Sequence, residues 1–595
     1  MTPIEIGLIV SAALLAMVIL GVRVAFAAAI AGFTGIVWIF WSKFGYDPNK
    51  FFRALTVAVK ISGQVPHSKI SSQALSLIPT FILIGYLAYY AGFTKALFEA
   101  AKRWIGWLPG GVAVATVFAT AGFAAVSGAS VATSAVFARV AIPEMLQLGY
   151  DKRFAAGVVA AAGTLASLIP PSAILVIYAI IVEQDVGALL LAGFLPGLFS
   201  AVVYGALVVG MALAFKNFGP PVGGFTLMQR LQSLPDVFPI FFVIVIIILF
   251  IYNPFGGDSW GTPTEGGAIG AFVVFLMAVT RGSWAGWYGW WKETLQKIAA
   301  DQTIEDLEKE RNRTSVRADE KDDINKLQKR LDDIENELYI LRKTVTGFGL
   351  RYRLVRLIRG IRSFFVPETK LPFKTRLKHI SLDVGGWFSS LTFFQDDPTT
   401  DPAERGMRWP EFKSALLETA RLSVMIFTII WGVLIYVRFL GFADLPTAFA
   451  DWISSIEYLS PMLILICILL AYAVLGMFMD AIGMLLLTLP VVYPAVIALN
   501  GGAAAPDGIG AFGMSDVGCA IWFGIIVVKM AEFCLITPPI GLNCFVVAGV
   551  QPEITVGDVF RGVMPFFVAD ALTIAGLIAM PGIVLYLPGL LLGKI

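Results

Sequence analysis

Long apolar runs, separated by short polar segments, dominate the hydrophobic pattern of this chain. A helix rises about 1.5 Å per residue, so about 20 apolar residues cross a bilayer core about 30 Å thick. The runs are 4–20, 24–41, 75–91, 110–148, 154–182, 188–215, 236–252, 264–280, 416–438, 459–499, 519–548 and 558–592. The pattern predicts an all-α polytopic membrane protein.

Two of these runs, 110–148 and 459–499, are about twice as long as one crossing needs. Small or polar residues interrupt them midway, at Ala125 to Ser130 and at Gly476 to Asp480. Non-helical backbone inside a membrane is tolerated only where protein or a wet cavity satisfies it. We predict two re-entrant hairpins; two ordinary spans joined by a short loop remain the alternative.

An internal repeat favours the hairpins. Each is followed by a polar loop, 149–154 or 513–518, and then by an apolar run with two consecutive prolines, Pro170–Pro171 or Pro538–Pro539. Proline lacks a backbone N–H and clashes with the preceding turn, so runs 154–182 and 519–548 are predicted to be broken helices. Two halves, each with a hairpin and a broken helix, are typical of a transporter.

The distribution of lysine and arginine predicts that the two halves are inverted. Positive residues are absent from loops 183–187, 253–263, 439–458 and 500–518 and present in 93–109, 149–153, 216–235 and 549–561. Basic loops stay cytoplasmic, so the base of the first hairpin lies inside and that of the second outside. The basic segment 42–74 disagrees: either it is an external surface helix or one crossing is miscounted.

A charged insert, 281–413, separates the halves. Between 324 and 345, apolar residues alternate at spacings of three and four, which predicts a cytoplasmic helical hairpin or coiled coil. The basic stretch 351–362 is suited to anionic membrane lipids. A solvated charged face without a partner is the alternative for both.

These features divide the chain into seven predicted segments. They are N-terminal scaffold spans (1–91), a first transport repeat (92–187), further scaffold spans (188–280), the insert (281–413), a scaffold span (414–456), a second transport repeat (457–549) and a C-terminal span (550–595).

Composition narrows the class of protein. Hydrophobic residues make up 57% and charged residues 14% of the chain, against about 25% charged in soluble domains, which excludes a soluble protein. The net charge of +2 argues against nucleic acid as a partner. Four cysteines in apolar runs and two distant histidines indicate neither disulfides nor a metal cluster.

Run 4–20 lacks the basic leader region of a removed signal peptide, so we expect it to be a retained span.

Small hydroxyl residues and broken helices at mid-depth suit sodium, a hard cation that takes oxygen ligands, while half-helix N-termini suit an anion. The repeat predicts one sodium site at Ser127, Gly128, Ser130, Gly163, Thr164 and Pro170. It predicts a second at Gly476, Met479, Asp480, Thr537, Pro538 and Gly541. We assign substrate binding to Ser130, Thr133, Ser172 and Asn543. The alternative is that these small residues only allow close helix packing.

Charged residues inside apolar runs are candidates for function because they are costly there. We predict that Asp480 binds an ion or stabilises its hairpin tip, and that Lys529 and Glu532, three residues apart, form a structural ion pair. Arg139 and Glu144 are expected to snorkel to the cytoplasmic interface.

Two further motifs bear on local structure and on chemistry. In G-T-P-T-E (261–265), Thr264 is the expected N-cap of the next span. The motifs H-E-x-x-H and G-x-S-x-G and a paired catalytic aspartate are absent from the sequence, so an intramembrane enzyme is not predicted.

Several motifs in order resemble one family, the large (M, DctM-like) membrane subunit of the tripartite ATP-independent periplasmic (TRAP) transporters. They are G-V-R-V-A-F-A-A-A-I-A-G (21–32), S-G-A-S-V-A-T (127–133), I-P-E-M with G-Y-D (142–151), G-T-L-A-S-L-I-P-P-S (163–172), G-T-P-T-E (261–265), G-M-F-M-D (476–480) and L-I-T-P-P-I-G-L-N (535–543). Ala129, Ala166 and Cys534 depart from the family pattern of serine, glycine and glycine.

The resemblance implies an elevator-type, sodium-driven symporter of the bacterial inner membrane. It would take a small organic acid from a periplasmic binding protein and work with a small four-span membrane subunit. The resemblance also implies that both hairpins and both broken helices move against a scaffold. A stand-alone ion-coupled carrier without a binding protein is the alternative.

Overall fold

A computed structural model describes residues 1–70, 73–215, 218–252, 261–279, 407–456, 458–504, 508–539 and 541–593. Regular structure in these ranges is helical throughout, without strands. The described residues of 1–224, 237–279 and 410–593 form the larger of two compact units, and those of 225–236 and 407–409 belong to the other. The predicted heptad seam (324–345) and basic stretch (351–362) lie outside the described residues.

The first half of the described chain is a series of helices joined by short turns. They are α1 (Pro3–Ile19), α2 (Val24–Lys43), α3 (Phe51–Ile70), α4 (Leu77–Tyr90), α5 (Phe93–Ile105), α6 (Gly111–Ser127), α7 (Ser130–Gln147), α8 (Lys152–Thr164), α9 (Ala173–Ile181), α10 (Val186–Ala214), α11 (Leu227–Leu231), α12 (Leu234–Tyr252) and α13 (Pro263–Val279).

The second half continues in the same way. Its helices are α14 (Trp409–Phe442), α15 (Leu445–Ser454), α16 (Pro461–Gly476), α17 (Ala481–Asn500), α18 (Asp516–Leu535), α19 (Leu542–Val550), α20 (Val556–Ala579) and α21 (Gly582–Leu592).

The described residues hold seven helices that are long and apolar enough to cross a membrane, or eight if α4 and α5, bent by 68°, count as one span. These lengths match the bilayer core. The predicted all-α polytopic class is therefore confirmed. Segment 42–74 contains α3, and its side of the membrane stays a prediction.

Both predicted hairpins are broken at the positions that the sequence indicates. In the first, α6 ends at Ser127 and α7 begins at Ser130, with Gly128 between them at φ +58°. Glycine adopts this left-handed conformation without a Cβ penalty, which explains its place there. In the second, α16 ends at Gly476, and Asp480 caps α17 by accepting the N–H of Gly483 at 3.0 Å.

The proline pairs interrupt the two helices that carry them. Helix α8 ends at Thr164, a short 3₁₀ turn follows, and α9 begins at Ala173 after Pro170–Pro171. Helix α18 ends at Leu535 and α19 begins at Leu542 after Pro538–Pro539. Both Pro–Pro peptide bonds are cis. The predicted interruption of runs 154–182 and 519–548 is confirmed.

The expected N-cap of α13 was wrong by two residues. Thr262, not Thr264, caps the helix: its Oγ1 accepts the N–H of Glu265 at 3.4 Å, and Glu265 Oε2 accepts the N–H of Thr262 at 2.8 Å. The helix begins earlier because Pro263 is pre-organised for its first position and Glu265 completes a capping box.

Helix α18 lies at the centre of the larger unit. Of its residues in an 18-residue apolar stretch, 94% are buried. Helices α10, α16, α17 and α20 pack against it. Helix α8 meets α20 at Gly157 and Gly562, where a Cβ on either residue would overlap the backbone of the other helix. Lys152 Nζ on α8 also lies 2.9 Å from Asp558 Oδ2 on α20.

Candidate functional site

A cavity of about 810 Å³ lies between the breaks of the two hairpins. The first hairpin contributes 128–131 and the second 478–482, and they face the turn between α1 and α2 and one side of α14. Its walls are mostly apolar, with polar groups at a few points only. Size and lining are those of a site for a small molecule.

Five helices begin at this cavity. Their first residues all line it: Val24 of α2, Ser130 of α7, Ala173 of α9, Ala481 of α17 and Leu542 of α19. The first N–H groups of a helix lack partners within the helix, and its N-terminus carries partial positive charge. Side chains cap α9 and α17, whereas α2, α7 and α19 have no side-chain cap, so three uncapped positive helix ends face the cavity and favour an anion.

The first hairpin break packs directly against the first proline break. The Gly128 carbonyl accepts the N–H of Ala173 at 3.3 Å, and Ser130 Oγ is hydrogen-bonded to Ser167 Oγ. Ser127 Oγ is hydrogen-bonded to Thr133 Oγ1 at 2.8 Å. Three residues of the predicted first sodium site, Ser127, Gly128 and Ser130, are thus brought to one oxygen-rich region.

The other three predicted residues of the first site make separate contacts. Gly163 faces Ser134, whose buried Oγ has no hydrogen-bond partner in the described part of the chain. Thr164 Oγ1 donates to the Ala161 carbonyl at 2.8 Å. Pro170 lines a separate cavity of about 210 Å³.

The second predicted sodium site is divided by the structure into two groups. Met479 and Asp480 line the large cavity, whereas Gly476 packs against the Cys534 side chain on α18. Cys534 Sγ donates to the Tyr472 carbonyl at 3.7 Å. The family pattern has glycine at the position of Cys534. Here the cysteine sulfur fills the space between the second hairpin and α18.

The remaining residues of the second site lie in the segment between the end of α18 and the start of α19. Thr537 Oγ1 donates to the Phe533 carbonyl at 2.6 Å. Gly541 precedes α19 at φ +35°, and a Cβ there would lie 3.1 Å from the Thr537 carbonyl oxygen. Pro538 between them is exposed. Thr537 and Gly541 are therefore neighbours, whereas Asp480 lines the large cavity.

Of the four residues assigned to substrate, Ser130 lines the cavity. The other three are buried in contacts with protein. Thr133 bonds Ser127, Ser172 caps α9 by accepting the N–H of Leu175 at 3.3 Å, and Asn543 Nδ2 donates to the Ala160 carbonyl at 3.3 Å.

Sequence reasoning missed two arginines at the cavity. Arg23, before α2, and Arg421, on α14, both line it and are exposed. In the described part of the chain, neither forms an ion pair. Arg421 lies inside the apolar run 416–438, and a charge in such a run is itself a signal of function.

The predicted ion pair of Lys529 with Glu532 is confirmed at 2.9 Å. It has a third member that was not predicted, Asp570 on α20, whose Oδ1 lies 2.7 Å from Lys529 Nζ. Nearer the surface, Glu144 pairs with Lys102 at 2.5 Å, and Arg139 donates to the Tyr89 hydroxyl at 3.3 Å.

Interrupted helices that converge on a cavity inside a bundle of apolar spans define a multi-pass membrane transport protein. The chain belongs to the family described as "Tripartite ATP-independent periplasmic transporter, DctM component", whose model matches residues 11–303 and 355–583.

Curated relatives agree with this assignment. The C4-dicarboxylate TRAP transporter large permease protein DctM of Vibrio cholerae is 26% identical over 581 residues, or 97% of this chain and 96% of the relative. The protein of the same name from Pseudomonas aeruginosa is 24% identical over 86% of each chain. The sialic acid TRAP transporter large permease protein SiaM of Vibrio cholerae is 29% identical over 38% of this chain and 51% of its own.

The protein is thus the large permease subunit of a TRAP transporter and a multi-pass protein of the bacterial inner membrane. Large permeases of this family work with a small membrane subunit and a periplasmic binding protein.

Proposed function

We propose that this permease takes up a small organic acid, delivered by a periplasmic binding protein, in symport with sodium. One observation carries the proposal: five helix N-termini and two arginines line a single cavity between the hairpin breaks. A carboxylate is the anion that such an arrangement binds, through N–H groups and charge-assisted arginine contacts. The C4-dicarboxylate and sialic acid named for the relatives are both organic acids.

Sodium is the coupling ion in this proposal, held behind the hairpin tips. Ser127, Gly128 and Ser130 supply hydroxyl and carbonyl oxygens beside the first proline break, and Thr537 and Gly541 do so at the second. Oxygens of this kind replace the water shell of a hard cation. Ser167, hydrogen-bonded to Ser130, joins the first set.

The transport movement is of the elevator type, with the hairpins re-entrant and the broken helices moving with them. We extend the moving unit to α10 and α20, although the sequence placed them outside the transport repeats. Helix α20 is joined to α8 by the Lys152–Asp558 ion pair and to α18 by the buried Lys529–Asp570 pair. Helix α10 is joined to α20 by the Tyr204 hydroxyl, which donates to Asp570 Oδ1 at 2.6 Å. Separating a buried ion pair leaves uncompensated charges at a cost of about 3–5 kcal/mol, so these helices move together.

Reconstitution tests the proposed function. The permease, with its four-span small subunit in liposomes and its binding protein outside, should accumulate an organic acid only under an inward sodium gradient. Uptake that a proton gradient drives equally well without sodium would contradict sodium coupling. Uptake that does not need the binding protein would favour the stand-alone carrier.

A further inference from the structure

Lys529, Glu532 and Asp570 form a cluster of charged groups in the interior of the larger unit. Lys529 Nζ lies 2.9 Å from Glu532 Oε2 and 2.7 Å from Asp570 Oδ1. All three side chains are 0% exposed. The cluster links α18 to α20 and lies apart from the large cavity, whose lining includes none of its members.

The charges of this cluster do not balance. Full ionisation gives two negative charges against one positive charge, and in the described residues no other cation pairs with either carboxylate. Taking an uncompensated charge out of water costs several kcal/mol. One additional positive charge would make the cluster neutral.

The groups that face the cluster from neighbouring elements do not supply that charge. The Tyr204 hydroxyl on α10 donates to Asp570 Oδ1 at 2.6 Å, and its ring lies 5.4 Å from Lys529 Nζ. Thr164 Oγ1 lies 3.5 Å from the Tyr204 hydroxyl, and the Leu168 N–H, near Glu532, donates to the Leu165 carbonyl at 3.2 Å. All three groups are neutral, and the Tyr204 hydroxyl orients the Asp570 carboxylate.

Two carboxylate oxygens in the cluster are left without a partner. Glu532 Oε1 and Asp570 Oδ2 are buried and make no hydrogen bond to any residue that the structure describes. Buried polar atoms normally have a partner, so each such atom needs an explanation. They are acceptor positions on the two groups that carry the excess negative charge.

We propose that this cluster is a binding site for a single proton, which Glu532 and Asp570 share. The proton bonds to a carboxylate oxygen, leaving one ammonium, one carboxylate and one carboxylic acid, with no net charge. A metal site is not indicated, because the described residues contain no group of three or more His, Cys, Asp or Glu side chains that could hold a metal ion. The proposal does not depend on sodium coupling.

Infrared spectroscopy of the purified full-length chain at neutral pH tests the proposal directly. The wild type should show a carboxylic acid C=O band that shifts in D₂O and disappears on alkaline titration. Glu532→Gln and Asp570→Asn each restore charge balance without a proton, so each should abolish the band. Lys529→Met removes the positive charge, so both carboxylates need a proton to become neutral. The intensity of the band should then increase about two-fold.

Controls make every outcome informative. Asp480→Asn removes the carboxyl group that caps α17 and should leave the band unchanged. Where a single variant does not fold, the triple variant K529M/E532Q/D570N removes all three charges, a replacement that buried ion clusters often tolerate; it should fold and lack the band. A wild type without the band, or a band that persists in both E532Q and D570N or in the triple variant, would overturn the proposal.

Discussion

Gly483 of the second hairpin lies against Val24 of α2, so that a Cβ added at Gly483 would be 3.3 Å from the Val24 Cβ. This spacing is close to the separation of about 3.5–4.5 Å found across a disulfide. The contact joins an element of the proposed moving unit to one of the proposed scaffold. It therefore permits a direct test of the elevator movement.

The first prediction is that Val24→Cys with Gly483→Cys, once oxidised, blocks uptake, and that reduction restores it. A covalent link between moving unit and scaffold prevents their relative displacement. Uptake into liposomes before and after reduction is the measurement. The exposed Cys467 is first replaced by serine, because the other three cysteines are buried.

The matched control is a cross-link inside the scaffold. A Cβ at Gly7 of α1 would lie 3.0 Å from the Ala443 Cβ, which follows α14. Gly7→Cys with Ala443→Cys should therefore oxidise without loss of uptake. Full transport by the oxidised Val24–Gly483 variant would show that these two elements do not move apart.

Local chemistry made the interruptions of the helices predictable. Pro170–Pro171 and Pro538–Pro539 remove backbone donors within long apolar runs, and Gly128 permits a left-handed residue at the first hairpin break. Lys529 and Glu532 are three residues apart on one helix, a spacing at which side chains meet. Each signal lies within a few residues of its consequence.

The residues that were missed are brought together by tertiary packing. Tyr204 and Asp570 are 366 positions apart in the chain, yet their side chains are 2.6 Å apart because α10 and α20 both pack on α18. Arg421 reaches the cavity only because α14 faces the hairpin tips. The periodicity of the sequence does not determine which face of a helix contacts another helix that is distant in the chain.

The second prediction concerns Arg421, which we expect to bind the substrate carboxylate. Arg421→Gln should raise the KM for uptake by about ten-fold or more, since a hydrogen bond to a charged group contributes about 1.5–3 kcal/mol. Arg438→Gln is the matched control, because Arg438 is exposed on the same helix but does not line the cavity. Equal KM values for the two variants would remove Arg421 from the site.

The third prediction separates the two roles of Asp480. Asn keeps a side-chain oxygen for the Gly483 N–H but loses the negative charge, whereas Ala loses both. Asp480→Asn should therefore retain the wild-type melting temperature and lose sodium-dependent uptake. Asp480→Ala should lose uptake and about 1 kcal/mol of stability as well. Unchanged transport by a well-expressed Asn variant would leave Asp480 as a helix cap alone.

The last prediction concerns the contact between α8 and α20, on which the extended moving unit depends. At Gly157, an added Cβ would overlap the backbone of Gly562, and the Lys152–Asp558 ion pair joins the same two helices. Gly157→Ala should therefore destabilise the protein by about 1–3 kcal/mol, the usual cost of overpacking. Gly210→Ala, on α10, is the control because no atom lies within 4 Å of its added Cβ. Thermal unfolding of both purified variants measures the difference, and an unchanged melting temperature for Gly157→Ala would mean that α8 and α20 are free to separate.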